Sequence, residues 1–203
     1  MIDSKILIIG NGNSTKDYEL GQKIDSEFDI IVRFNRGYFE GIINYEKYIG
    51  SKTDILIIHD GFAKPEYITD EVLNSVSNIF VVIPQFKFDN EYYRIKSYGW
   101  NETVQIIPKE YEIKLNELAN FGNKWPTTGL IGLYFISNNF DDVSIYGFDG
   151  GDEKYEYYHY YTHSDDRTTK YMNRPTRFDH DLSIERKCMD IIKKTYSLKN
   201  LNE

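Results

Sequence analysis

The chain has a single cysteine, Cys188, among 203 residues, so no disulfide can close within it and a reducing compartment such as the cytoplasm is expected. The first apolar run starts within a few residues of Met1, which leaves no room for a secretory leader in the sequence as given and adds to that expectation. Long apolar stretches are also missing: ILIIG and IFVVIP fall far short of the roughly 20 residues that a membrane helix needs. Positive charge is scarce, with 24 Lys plus Arg against 32 Asp plus Glu and a net charge of -8, which disfavours nucleic acid and anionic lipid as partners. The Gly/Asn loop of ILIIGNGNST, residues 6 to 15, lacks the third glycine of a dinucleotide fingerprint and the Gly-Lys-Ser/Thr ending of a P-loop.

What is present is a series of short apolar runs separated by helix-like spacers: KILIIG (5–10), DIIVRFN (29–35), DILIIH (54–59), NIFVVIP (78–84), TVQIIP (103–108) and DVSIYGF (142–148). Continuous apolar strands of this kind are buried on both faces, which predicts an α/β fold with a mainly parallel sheet flanked by helices. TKDYELGQKI, EYITDEVLNSV and TGLIGLYFISNNF have helical spacing, and the last is apolar enough to pack centrally on a sheet. No internal repeat appears, and the length suits a single domain over 1–203. From about 150 to 179 the pattern gives way to a polar, aromatic segment without a period, read as a mobile lid. Order returns in HDLSIERKCMDIIKK, where Leu182, Ile184, Cys188, Ile191 and Ile192 form an apolar stripe and His180 falls at a helix N-terminus. The 18 Tyr and 12 Phe could line a sugar-stacking surface, although such abundance beside many Ile, Lys and Asn also follows from coding bias.

Ligands of open α/β sheets bind beyond the carboxyl ends of strands. The residues there are Asn11, Gly12, Asn13 and Ser14; Arg33 and Asn35; His59; and Gly147, Phe148 and Asp149. The set is rich in amides and poor in cations, suited to a monophosphate and a base rather than a triphosphate. Gly and Asn also simply favour tight turns. In WPTTGLIGL (125–133), Thr127 or Thr128 caps a helix whose N-terminus can hold an anion, and Gly129 follows. His159, Tyr160 and Tyr161, then His180 and Glu185, supply imidazoles able to take a proton near neutral pH.

Together and in this order, these pieces resemble the sialyltransferases, glycosyltransferase families 29 and 42. IGNGNS with VRFN and GSKTD is similar to the long sialyl motif, and PTTG with DVSIYGF to the short motif. HYY at 159–161 resembles the third motif, and His180 with Glu185 the very short His-x4-Glu motif. The cysteine pair that joins the long and short motifs in animal family 29 enzymes is absent, and no amino-terminal anchor is expected. The aromatic loop and late HDLSIE helix look equally like bacterial family 42.

The resemblance implies a Rossmann-like, GT-A-like sialyltransferase domain that moves sialic acid from CMP-sialic acid to a glycan hydroxyl with inversion and without a metal. His180 would be the general base, with Glu185 and Arg33 in support. His159, Tyr160 and Tyr161 would stabilise the departing phosphate. Asn11, Asn13 and Ser14 would meet phosphate or sugar, Asn35 and His59 would join the donor site, and Thr127, Thr128 and Gly129 would hold carboxylate and phosphate. Phe148 and Asp149 would take ribose and base. The partners implied are the CMP-sugar donor and the glycan acceptor, with a homo-oligomer plausible. Two alternatives stay open, another CMP-activated acid sugar such as Kdo and a non-catalytic nucleotide- or glycan-binding module. A metal reading also exists, since Asp179-His180-Asp181 spells Asp-x-Asp and Asp149, Asp152, Asp165 and Asp166 could add ligands, but carboxylates at a helix start serve capping equally well.

Overall fold

A computed structural model describes residues 4–100, 102–149, 159–161 and 180–201. All six expected strands form: β1 (Ile6–Ile9), β2 (Ile30–Phe34), β3 (Ile55–His59), β4 (Asn78–Val82), β5 (Val104–Ile106) and β6 (Val143–Tyr146). A short seventh, β7 (Lys199–Asn200), pairs with β6 at the edge. Every pairing is parallel, and the order is β5-β4-β3-β2-β1-β6-β7.

Seven α-helices are described: α1 (Gly21–Glu27), α2 (Ile42–Ile49), α3 (Asp70–Ser75), α4 (Phe88–Ser97), α5 (Glu110–Ala119), α6 (Thr128–Asn139) and α7 (Leu182–Thr195). Strand side chains alternate between the two faces of the sheet. Ile6 and Ile8 of β1 join Phe34, Ile57 and Val82 in a core under α5, α6 and α7. Leu7 and Ile9 point the other way, toward Ile24 of α1 and Ile49 of α2, while Leu56 and Ile58 meet Ile95 of α4. Both faces of the sheet are therefore dry, which is why its strands read as unbroken apolar runs.

α6 packs tightly on the sheet. A Cβ placed on Gly132 would lie 2.5 Å from the Phe34 ring, so only glycine allows that approach. The described residues form no helix long and apolar enough to cross a membrane.

Two expectations are corrected here. The helix expected over 15–24 starts only at Gly21, because a 3-10 turn (Asn13–Lys16) wraps the β1 loop back toward β6 first. On α7, Glu185, Cys188, Met189 and Ile192 form the buried stripe, and Ile191 is 39% exposed because its azimuth lies off that stripe. The lid expected over 150–179 lies outside the described residues except for 159–161.

Candidate active site

The chain lays down β1 through β5 in one direction across the sheet and then returns to place β6 on the other side of β1. The switch point of the sheet therefore lies between β1 and β6, and ligands of open α/β sheets bind beside such a point, at the carboxyl ends of the strands. A cleft of about 620 Å³ lies there. Asn11, Asn35, His59, Thr127, Thr128, Gly129, Phe148, Asp149, His159, Tyr161, His180 and Glu185 line it. Asn13, Ser14, Arg33 and Tyr160 do not.

The β1 loop is zipped to β6. Gly10 and Gly12 donate their N–H groups to the carbonyls of Tyr146 and Gly147, at 2.7 and 2.9 Å. A Cβ on Gly12 would lie 2.5 Å from the Asp149 carboxylate, so the second glycine of GNGN is required by this closeness. Ser14 holds that carboxylate from behind, through its N–H at 2.9 Å and a short hydroxyl bond. Ser14 is thus a positioning residue for Asp149 instead of a wall of the cleft. Asn13 Oδ1 is buried without a hydrogen-bond partner among the described residues.

After β2, Asn35 takes a left-handed backbone, φ 42°, a conformation asparagine tolerates better than most residues. Its Oδ1 accepts the His59 N–H at 2.7 Å, so the group it offers the cleft is its amide NH2. His59 Nδ1 accepts the Gly61 N–H at 3.0 Å, which puts the ring proton on Nε2. That nitrogen lies 3.0 Å from buried Asp60, whose other oxygen pairs with Lys87 at 2.7 Å. The Nε2 contact is an ion-pair approach and not an aligned hydrogen bond. Burial pushes the Asp60 carboxyl up, but the pull of the adjacent His59 and Lys87 outweighs it and holds the group below its usual range.

Arg33 is fully buried and belongs to the scaffold. Its Nη2 donates to the carbonyls of Ile49 and Gly50, and its Nε to Lys52 O and Thr53 Oγ1. The GSKTD segment is therefore wrapped around the VRFN arginine. Burial lowers the guanidinium to about 10, against the pull of Tyr160, Asp25 and Asp54. Tyr160 shares this interior: it is 1% exposed, donates its hydroxyl to Gly37 O at 3.0 Å and packs on Tyr45. The expectation that it meets a departing phosphate is corrected, because Tyr160 turns into the core while its neighbours His159 and Tyr161 both face the cleft. Tyr161 faces the cleft and stacks on His159, ring centroids 5.1 Å apart. His159 Nδ1 lies 3.3 Å from Asn11 O; a carbonyl only accepts, so Nδ1 carries the proton.

The opposite wall is the start of α6. Thr127, not Thr128, is the N-cap, its hydroxyl accepting from Leu130 N at 3.2 Å. Thr128 and Gly129 occupy the first turn, where helix geometry leaves N–H groups without intrahelical partners. Glu185 reaches across from α7 and accepts the Thr127 N–H at 2.6 Å and meets its hydroxyl at 2.9 Å. Burial raises the Glu185 carboxyl to about 7, partly offset by the Thr127 bonds. His180 precedes the α7 cap Asp181 and donates Nδ1–H to Trp125 O at 2.8 Å. In the neutral ring this leaves Nε2 as the basic nitrogen.

The sequence reading overlooked Phe62, Pro84, Phe86, Lys87 and Trp125, all of which line the cleft. The signal was available: the rule that selects residues after β1, β2, β3 and β6 applies equally after β4, where Pro84, Phe86 and Lys87 lie. The described residues hold no cluster of three or more His, Cys, Asp or Glu fit for a metal. The carboxylates of Asp152, Asp165, Asp166 and Asp179 lie outside them.

The family model described as glycosyltransferase family 29 (sialyltransferase) matches residues 5–88 and 105–196. Among curated proteins, a Gallus gallus CMP-N-acetylneuraminate-beta-galactosamide-alpha-2,3-sialyltransferase 1 is 29% identical over 76% of this chain and 46% of its own length. A human type 2 lactosamine alpha-2,3-sialyltransferase is 26% identical over 71% and 49% of the two chains. A Rattus norvegicus CMP-N-acetylneuraminate-beta-galactosamide-alpha-2,3-sialyltransferase 2 is 25% identical over 92% and 53%. The chain spans about half the length of these relatives. With the four motif regions gathered around one cleft and a family match over most of its length, the chain belongs to glycosyltransferase family 29, the sialyltransferases.

Proposed function

We propose that this protein transfers sialic acid from CMP-sialic acid to a glycan hydroxyl with inversion and without a metal ion. The observation that carries the reading is the Nδ1–H bond from His180 to Trp125 O, which orients a basic Nε2 in a cleft at the topological switch point. Nε2 takes the proton of the acceptor hydroxyl while that oxygen attacks the anomeric carbon. The bond from that carbon to the phosphate oxygen breaks on the opposite side, and its electron pair leaves with CMP. A positioned base of this kind is worth about 100- to 10,000-fold in rate.

The N–H groups of Thr128 and Gly129 at the α6 start hold the donor's carboxylate or phosphate, aided by the helix dipole. The Asn35 NH2, Phe148 and Asp149 take the nucleoside. His159 and Tyr161 stand where negative charge grows on the leaving phosphate. Because amides, hydroxyls and a helix start supply the donor site, a monophosphate can be held without a cation. The single, buried Cys188 supports a reducing setting such as the cytoplasm.

Calorimetry against CMP, UDP and GDP, with and without magnesium, tests the donor class. CMP binding independent of magnesium is expected, and tight binding of UDP only with magnesium would overturn the reading. The anomeric configuration of the product, read by NMR, tests inversion.

A further inference from the structure

We propose that Phe86 and Trp125 form the acceptor platform of this cleft, stacking on the C–H face of a neutral hexopyranoside whose hydroxyl then reaches His180. The inference rests on the transferase reading for the role of the cleft, but its binding chemistry stands on the following geometry.

Phe86 follows β4 and is 67% exposed, although it lies inside the cleft. Its ring is 4.9 Å from that of Trp125 and tilted 40° to it, so the two present a continuous aromatic wall. Trp125 in turn meets the His180 ring edge-on at 6.1 Å and holds its Nδ1–H with the backbone carbonyl. The residue that orients the base is therefore half of the wall, which ties the platform to the reacting nitrogen.

Position along the sheet separates this wall from the nucleotide end. β1, at the switch point, and β4 are three strand spacings apart in the sheet, roughly 14 Å at the usual interstrand distance. The transferase reading seats the nucleoside at Phe148 and Asp149, after β6, which leaves the β4 side of the cleft, with Phe86, for the second substrate.

The turn that carries Phe86 is held in place at a cost. Glu112 of α5, only 5% exposed, accepts the Gln85 N–H at 2.9 Å. A buried carboxylate is expensive unless bonded, and here its bond fixes the residue next to Phe86. An aromatic face on a fixed turn suits a sugar: pyranose C–H groups carry partial positive charge and meet the negative face of the ring. The family match breaks after residue 88 and resumes at 105, so Phe86 lies inside the matched part, two residues before the break.

The test is a titration of CMP-loaded protein with lactose, followed by saturation-transfer NMR, alongside calorimetry with CMP alone. Phe86→Ala is expected to weaken lactose binding roughly ten-fold, the scale of one aromatic contact with its buried apolar area, while the Kd for CMP stays within about two-fold. Phe86→Tyr should retain lactose binding. Lactose binding by Phe86→Ala equal to the parent, or none by the CMP-loaded parent, overturns the platform. A parent that binds lactose through Phe86 yet transfers no sialic acid supports the platform and counts against the transferase reading alone.

Discussion

The Glu185 carboxylate spans the gap between α7 and α6, with Oε1 2.6 Å from the Thr127 amide and Oε2 2.9 Å from its hydroxyl. This contact fastens α7, the helix that follows His180, to the start of α6, which lines the cleft. The glutamate five residues after the histidine thus bonds the α6 cap.

The link carries a pH signature. Burial raises the Glu185 carboxyl to about 7 from an ordinary value of 4.5, so the folded protein binds the extra proton more tightly than the unfolded chain. The stability so gained is complete below about pH 4.5 and is lost as pH rises through about 7, by up to roughly 3 kcal/mol for a shift of this size. Glu185→Gln, which keeps the shape of the protonated form, should flatten that part of the stability profile. Denaturant melts of parent and variant between pH 5 and 8 check this, and parallel profiles would remove Glu185 as the titrating group.

His180→Ala should abolish transfer while leaving the Kd for CMP within a few-fold, since the base acts on the acceptor proton and touches the nucleotide little. Single-turnover transfer and calorimetry measure the two quantities separately. An equal loss of CMP binding would place His180 on the donor instead.

Gly129 offers a test in which fold and function separate. A Cβ there would come no nearer than 3.7 Å to any neighbour, so the fold itself has room for alanine. Gly129→Ala should raise helix stability by about 0.5–1 kcal/mol while weakening binding of a CMP-sugar, because the new methyl group crowds the N–H groups that meet the ligand. A higher melting temperature with unchanged donor affinity would show that the ligand keeps clear of this turn.

Tyr160→Phe should cost about 1 kcal/mol of stability, the usual net worth of one buried hydrogen bond, because it leaves Gly37 O without its donor. Transfer per folded molecule should stay close to that of the parent. Tyr161→Phe should instead slow transfer more than it weakens CMP binding, as expected of a hydroxyl that meets charge only in the transition state. Similar rates for Tyr161→Phe and the parent would take the tyrosine out of the leaving-group site.

The sequence alone determined the strands, because burial on both faces forces unbroken apolar runs, and each of the six such runs became a parallel strand. It also marked His180, Glu185 and Thr127, because a cap, a helix start and an imidazole have local signatures. The edge strand β7 was illegible, since two residues, Lys199 and Asn200, carry no periodicity. Tertiary structure decided everything that depends on which way a neighbour faces. In HYY, adjacent tyrosines have identical chemistry, yet Arg33 and Gly37 draw Tyr160 into the core while Tyr161 lines the cleft. GSKTD reads as a loop, and only the fold shows it closing around the Arg33 guanidinium. Trp125 and His180 are 55 residues apart in the chain and meet because α7 packs beside α6. Local sequence sets which residues can do chemistry; long-range packing sets which of them face one another.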